Sequence, residues 1–198
     1  MTLFDYKRLK YFSDKLLAFF GIFISAPIMM LCALAIRLSS RGPVFFKQER
    51  LGKDEKPFVL FKFRSMIDNA ERETGPKWAA GNDPRVTVIG KFLRKTRLDE
   101  LPQLFNVLKG DMSFVGPRPI RKYFADILEQ DIPHYRLRFT VNPGITGWAQ
   151  VCGDYAGSME GQREKCEFDL YYIEHQSIQL DLLIIIKTIK TVLSQRGQ

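Results

Sequence analysis

Histidine and cysteine are scarce in this chain. His134 and His175 stand alone, and Cys32, Cys152 and Cys166 are odd in number and show no metal-ligand spacing. No zinc pattern follows from them, and the thiols read as reduced, structural groups of a cytosolic compartment. Internal repeats and low-complexity linkers are also missing, so one domain around one core is the default for 198 residues of which 45% are hydrophobic. A third absence is local: no charged residue occurs from Leu16 through Ile36. As a helix, that run extends about 32 Å, enough to cross a hydrocarbon core, so this segment enters lipid.

What flanks the run constrains how it enters. Lys7, Arg8, Lys10 and Lys15 precede it, and Arg37, Arg41 and Lys47 follow. The preference of basic flanks for the cytoplasmic side pulls both ends to one face. Pro27 divides the segment into halves of roughly 15 Å each, and a break there lets the chain turn back. The expectation is a re-entrant helix-break-helix over 1–40, with 41–198 as a cytoplasmic catalytic domain forming one unit with it. A straight span with a mild proline kink is the alternative. Ala33-Leu34-Ala35 imitates a signal-peptide cleavage site, but the apolar region is too long and Arg37 follows at once.

Chemistry concentrates between Arg97 and Pro119. Leu101, Leu104, Phe105 and Leu108 recur at i, i+3, i+4 and i+7, which predicts a short amphipathic helix ending at a left-handed Gly110. Asp99 and Glu100 fall at its start, where backbone dipoles favour ionised carboxylates; acids at such positions also serve as plain caps. Upstream, Arg85, Lys91, Arg94, Lys95 and Arg97 crowd a helix whose apolar face is Val88, Ile89, Phe92 and Leu93. Downstream, Arg118 stands between Pro117 and Pro119, which fix its backbone and pre-position a guanidinium suited to phosphate oxygens. Acids and ordered bases together point to phosphate chemistry with a divalent cation bridging carboxylate and phosphate. The excess of 30 Lys+Arg over 22 Asp+Glu, a net +8, suits anionic partners generally. No helix-turn-helix or RNA-recognition pattern accompanies it, so nucleic acid is not the expected partner.

The remaining elements are a predicted β-hairpin, Val44–Glu49 with Phe58–Arg64, in which Lys62 and Arg64 share a face that either adds to a phosphate site or is simply solvated. A polar loop covers 75–84. Ile120, Tyr123, Phe124, Ile127 and Leu128 form one helical stripe, and helices are expected at 162–175 and 180–194. The last of these either docks on the core or lies in the membrane interface. Trp148 is a core residue, a membrane contact or a sugar platform. Asp169 with Tyr171 and Tyr172 reads as a hydrogen-bonded polar cluster. The fold class is mixed α/β and helix-rich: membrane helix, small hairpin and several short amphipathic helices at the interface.

Lys62-Phe63-Arg64-Ser65-Met66, Leu98-Asp99-Glu100-Leu101-Pro102-Gln103-Leu104, the run 110–119, Pro143-Gly144-Ile145-Thr146-Gly147 and Asp169-Leu170-Tyr171-Tyr172 occur in the order seen in one family. On them the chain resembles the bacterial sugar transferases, the monotopic phosphoglycosyl transferases. The stretches 74–79 and 147–151 are most similar to members priming exopolysaccharide synthesis, in a minimal form without the multi-span membrane domain that many members carry.

The resemblance implies a definite reaction. A sugar-1-phosphate moves from a UDP-sugar to polyprenol (undecaprenyl) phosphate, with Mg²⁺ and release of UMP, at the cytoplasmic face of the bacterial inner membrane. Asp99 is the implied nucleophile and metal ligand, forming a phosphosugar-aspartyl intermediate, and Glu100 is its dyad partner for metal or proton handling. Arg118, Arg94 and Lys62 are the implied phosphate-binding residues. Membrane lipid is an implied partner, and a homo-oligomer is left open. Asn142 and Asp154 depart from basic residues common in the family, and Ala26 stands where a serine usually precedes the proline. The rivals are a membrane-tethered basic binding module without catalysis and a metal-dependent membrane phosphodiesterase or pyrophosphatase using the same acids to activate water.

Overall fold

The computed structural model describes residues 3–71, 75, 83–153 and 158–193. The stretch 74–79, Asp154 and Ser194 therefore lie outside the described residues, apart from Gly75.

The apolar run sits in one long helix, α1 (Leu3–Ser39), about 55 Å from end to end. The break expected at Pro27 is absent: the helix continues through this residue. Proline removes one backbone donor, a loss the helix tolerates; one turn earlier the Ser25 hydroxyl bonds back to the Gly21 carbonyl at 2.6 Å. Tyr6, Asp14, Ala18, Ser25, Met29, Cys32 and Ile36 are buried along one stripe, and their spacing keeps the 3.6-residue period on both sides of Pro27. The rest of the domain thus lies against α1 for much of its length. The opposite side, with Phe19, Phe23, Ile24, Met30, Leu31 and Leu34, is exposed and apolar. That face is long and apolar enough to enter a membrane.

The predicted hairpin is present as β1 (Phe45–Leu51) and β2 (Pro57–Phe63), antiparallel with Phe45 opposite Phe63. A 3₁₀ turn at Lys53–Glu55 joins them, with Asp54 at φ 53°. Arg64 falls just past β2, and its expected share in a phosphate face is not what the structure gives. It is buried, donating to the carbonyls of Arg41 (2.7 Å) and Ser40 (2.9 Å) and to the Ser40 hydroxyl (2.8 Å). It caps the end of α1, where carbonyls have no helical partner.

Helices α2 (Val88–Lys95) and α3 (Gln103–Lys109) follow, separated by a 3₁₀ turn at Leu98–Glu100. Gly110 ends α3 at φ 92°, the left-handed cap the sequence predicts. The buried face of α3 differs from the predicted stripe: Leu104 and Val107 are buried and Phe105 is exposed. The polar residue between them decides this rotation. Asn106 is fully buried because its amide stitches α3 to β2, accepting from Phe61 N (3.0 Å) and donating to the Val59 carbonyl (2.7 Å). On α2, Leu93 is buried while Val88 and Phe92 of the predicted apolar face are exposed.

Beyond these come β3 (Ser113–Val115), α4 (Lys122–Asp131), a 3₁₀ turn at Tyr135–Thr140, β4 (Gly144–Thr146), α5 (Trp148–Cys152), α6 (Met159–Glu174) and α7 (Ile178–Leu193). β3 and β4 pair in parallel, a contact between segments about thirty residues apart. Val115, Tyr172 and Ile184 form a buried cluster against which Trp148 is partly packed, its ring stacked on Tyr171 at 6.2 Å. Leu182, Ile186 and Ile189 of α7 are exposed.

Candidate active site

Five of the sequence-predicted residues converge where α2, the 98–100 turn, β2 and the 117–119 loop meet. The turn carries the acids because the chain reverses just before it. Arg97 adopts φ 58°, ψ 13°, a left-handed conformation that costs a non-glycine residue of order 1 kcal/mol. Asp99 and Glu100 are then turned inward, 6% and 8% exposed.

Glu100 is the electrostatic anchor of the site. Its Oε1 accepts from Lys62 Nζ and from Arg118 NH2, each at 2.7 Å. Burial alone raises a carboxyl group, but Arg118 and then Lys62 outweigh it and hold Glu100 well below the usual carboxylate range. Glu100 in turn raises Arg118. Burial lowers Lys62 despite Glu100. Asp99 is different. Burial pushes it up, Glu100 adds to the rise, and Lys62, Arg94 and Arg118 only partly oppose it. Its Oδ1 is buried and has no hydrogen-bond partner among the described residues. A buried orphan oxygen costs free energy, and such atoms mark sites completed by something else.

Arg94 reaches the site from α2. The Thr87 hydroxyl caps this helix at Gly90 N (2.9 Å), while Thr87 N bonds the Ser65 carbonyl (3.0 Å) and so ties α2 to the chain leaving β2. The Ser65 hydroxyl then accepts from Arg94 Nε at 2.8 Å, which holds the guanidinium close enough for its charge to act on Asp99. Among the other bases of this helix region, Arg85 chelates Asp83.

Arg118 owes its position to its backbone. The carbonyls of residues 117 to 120 are each bonded: Pro117 by Gly144 N (2.9 Å), Arg118 by Arg138 NH2 (3.2 Å), Pro119 by Arg50 NH1 (3.3 Å) and Ile120 by Leu51 N (2.9 Å). Two prolines restrict this loop, and these four bonds fix where it points. Gly144 is required for the approach, since a Cβ there would lie 2.1 Å from Gly116 N. The Arg118 side chain stays 44% exposed beyond its contact with Glu100, so its remaining donors face solvent.

Arg138 and Arg50 were not legible as site residues. Arg138 is buried, paired with Asp169 at 2.5 Å and bonded to the Tyr135 hydroxyl at 2.6 Å. The cluster expected around Asp169 is not the one formed: Arg138 is its partner, while Tyr172 bonds Asp181 and the Val115 carbonyl and Tyr171 stacks on Trp148 and His175. Nothing local in Tyr135-Arg136-Leu137-Arg138 distinguishes the inward arginine from Arg136, which pairs at the surface with Glu55, Asp126 and Glu129. Asn142, one of the two departures, donates to the Gly110 carbonyl at 3.2 Å.

The constellation therefore offers one carboxylate oxygen without a partner, beside a second carboxylate that holds two cations in place, with a third cation close by. Such an arrangement binds phosphate and can direct an oxygen nucleophile at it.

Comparison with known proteins agrees in family. The sequence model described as bacterial sugar transferase matches residues 5–195. The UDP-N-acetylgalactosamine-undecaprenyl-phosphate N-acetylgalactosaminephosphotransferase of Aeromonas hydrophila is 48% identical over 192 residues, 97% of this chain and 45% of that protein. The UDP-glucose:undecaprenyl-phosphate glucose-1-phosphate transferase of Escherichia coli K12 is 45% identical over 185 residues, 92% of this chain and 40% of that protein. A Bacillus subtilis protein named as an uncharacterized sugar transferase, EpsL, is 41% identical over 189 residues, 96% of this chain and 89% of that protein. The chain spans less than half the length of the first two relatives. With the family match running over nearly all of its length, the chain belongs to the bacterial sugar transferase family.

Proposed function

We propose that the protein is a phosphoglycosyl transferase that moves a sugar-1-phosphate from a UDP-sugar to undecaprenyl phosphate. The observation that carries this reading is the asymmetry of the acid pair: Glu100 saturated by Lys62 and Arg118, Asp99 buried beside them with Oδ1 unpartnered. The names of the relatives supply donor and acceptor class.

In this reading Arg118 and Arg94 bind the diphosphate of the donor, and its negative charge draws the Asp99 carboxyl into its ionised form. The Asp99 carboxylate attacks the sugar-linked phosphorus. A phosphorus–oxygen bond forms to Asp99, the bond to the bridging oxygen breaks, and UMP leaves with that electron pair. Undecaprenyl phosphate then attacks the same phosphorus, the bond to Asp99 breaks, and the lipid-linked diphosphosugar departs. Glu100 stays ionised throughout and fixes Lys62 and Arg118; this keeps the cations from collapsing onto Asp99.

A divalent cation fits this donor set at one point. Asp99 would hold it with one oxygen, the phosphates supplying further ligands, as is usual for Mg²⁺. Bound there, it would neutralise phosphate charge. Among the described residues no group of three His, Cys, Asp or Glu would hold a metal by itself.

A shallow, one-sided seat in the cytoplasmic leaflet is the matching membrane arrangement. In its support, the buried stripe of α1 runs from Tyr6 to Ile36, about 45 Å. A straight perpendicular span would drag the domain packed on that stripe into hydrocarbon, where its polar groups are costly.

The test is UMP release from a panel of UDP-sugars by nanodisc-held protein with undecaprenyl phosphate and Mg²⁺. Mg²⁺-dependent UMP, with the phosphosugar recovered on lipid, is the expected result. UMP formed without any lipid-linked product would instead identify a phosphodiesterase.

A further inference from the structure

A pocket of about 140 Å³ lies apart from the acid pair, between the first turns of α1, the β1–β2 turn, β3 and the end of α6. None of the residues assigned above to phosphate or sugar transfer lines it.

Its floor is charged and built. Asp14 is 8% exposed, with Ser113 beside it in the lining. One wall is a polar knot: Asp181 accepts from Tyr6 (2.8 Å) and Lys10 (2.7 Å), and the Tyr172 hydroxyl lies 2.8 Å from Asp181 and 3.2 Å from the Val115 carbonyl. These bonds join α1, α6, α7 and β3, so the walls are preformed. At the rim stand the exposed Lys7 and Lys53, with the amides of Asn142 and Gln176 beside them.

The chemistry of this lining selects its ligand. Lys7 and Lys53 are point charges suited to a phosphate. The Asp14 carboxylate, with the amides, suits hydroxyl groups, which donate to the one and exchange hydrogen bonds with the others. Lys7, Lys10 and Lys53 outnumber Asp14 among the lining charges, favouring a ligand with net negative charge. The pocket has room for a phosphate with a short polyol.

Height completes the argument. Asp14 and Tyr11 precede the first residue of the uncharged run by about 3 and 8 Å along α1. With α1 in the shallow, one-sided seat described above, this end of the helix lies beside the headgroup layer, about 5–7 Å deep on one side of a bilayer, and the pocket opens next to it.

We propose that this pocket binds the headgroup of an anionic glycerophospholipid, phosphatidylglycerol in chemical class, with its phosphate at Lys7 and Lys53 and its glycerol hydroxyls at Asp14, Asn142 and Gln176. The lipid is a resident ligand that fixes the depth of α1 and, through Tyr172 and Val115, the base of the strand leading to Arg118. This inference is separate from the transferase reading, because lipid retention is measured without turnover.

The experiment is mass spectrometry of lipid retained by the full chain after purification from membranes containing phosphatidylglycerol, phosphatidic acid and phosphatidylethanolamine in equal amounts. Wild type is expected to retain phosphatidylglycerol above both others. Lys7→Gln with Lys53→Gln should cut retained phosphatidylglycerol at least about fivefold. Gln176→Leu should keep anionic lipid but bring the ratio of phosphatidylglycerol to phosphatidic acid close to that supplied. Circular dichroism of each variant confirms folding, since all three positions are at or near the surface. Unchanged retention in the lysine variant, or no preference over phosphatidic acid in wild type, overturns the proposal. So does displacement of the lipid by millimolar soluble glycerol phosphate, which would assign the pocket to a free phosphorylated polyol.

Discussion

Asp169→Asn is the perturbation whose consequences the structure fixes most tightly. Arg138 and Asp169 are 8% and 2% exposed and meet at 2.5 Å. Neutralising the acid leaves a buried guanidinium with the Tyr135 hydroxyl and the Arg118 carbonyl as its neutral partners. Breaking one side of such a pair costs about 3–5 kcal/mol. For a chain of this size that lowers the melting temperature by roughly 6–20 °C. The double variant Arg138→Met with Asp169→Leu removes both charges, and its stability should recover by about 2 kcal/mol or more relative to Asp169→Asn. Activity should not recover with it, because the Arg118 carbonyl has then lost its guanidinium donor and the loop one of its four anchors. The assays are thermal denaturation in detergent and sugar-1-phosphate transfer at saturating donor and acceptor. A double variant as unstable as Asp169→Asn would refute the energetic argument; one as active as wild type would refute the positional one.

Two further outcomes follow from the same surroundings. Arg85 holds the Asp83 carboxyl down to about 2; its stabilisation is present above the ordinary carboxylate pKa and is lost as pH falls through about 2. Asp83→Asn should therefore flatten the acid limb of a pH–stability curve between about pH 4 and 2, by about 1 kcal/mol given solvent screening, and a limb unchanged in the variant would exclude this pair as its source. Gly90→Ala places a Cβ 1.9 Å from the Ser65 carbonyl, so backbone must move. It should destabilise the protein by about 2 kcal/mol or more and weaken donor binding through the Ser65–Arg94 contact, read as a rise in KM for the donor.

Much of the site was legible because its signals are local. Asp99 and Glu100 beside a helix start, Arg118 between prolines and Gly110 as a terminator each announce themselves within a few residues. The same holds for the β1–β2 hairpin. Arg138 escaped because its role is set by Asp169, 31 positions away, and by a backbone carbonyl that no sequence pattern marks. Lys62 and Arg64 show the limit of periodicity: alternation puts both on one face, yet β2 ends between them, and one turns to Glu100 while the other caps α1. The parallel β3–β4 pair has three residues per strand, too short for any alternation to be counted. The expected break at Pro27 failed for a related reason: a proline removes one hydrogen bond, but packing along the stripe on both sides of it keeps the helix whole.

In the proposed reaction Asp99 becomes covalently bonded to the transferred phosphosugar. The most direct measurement of that bond is intact-protein mass spectrometry after brief incubation with the turned-over UDP-sugar and Mg²⁺ in the absence of undecaprenyl phosphate. The expected result is an added mass equal to one sugar phosphate, located on the peptide containing Asp99, discharged on adding undecaprenyl phosphate and absent in Asp99→Asn. A wild-type enzyme that turns over with lipid present but never carries that mass, or an Asp99→Asn variant that still transfers sugar phosphate at the wild-type rate, would contradict it.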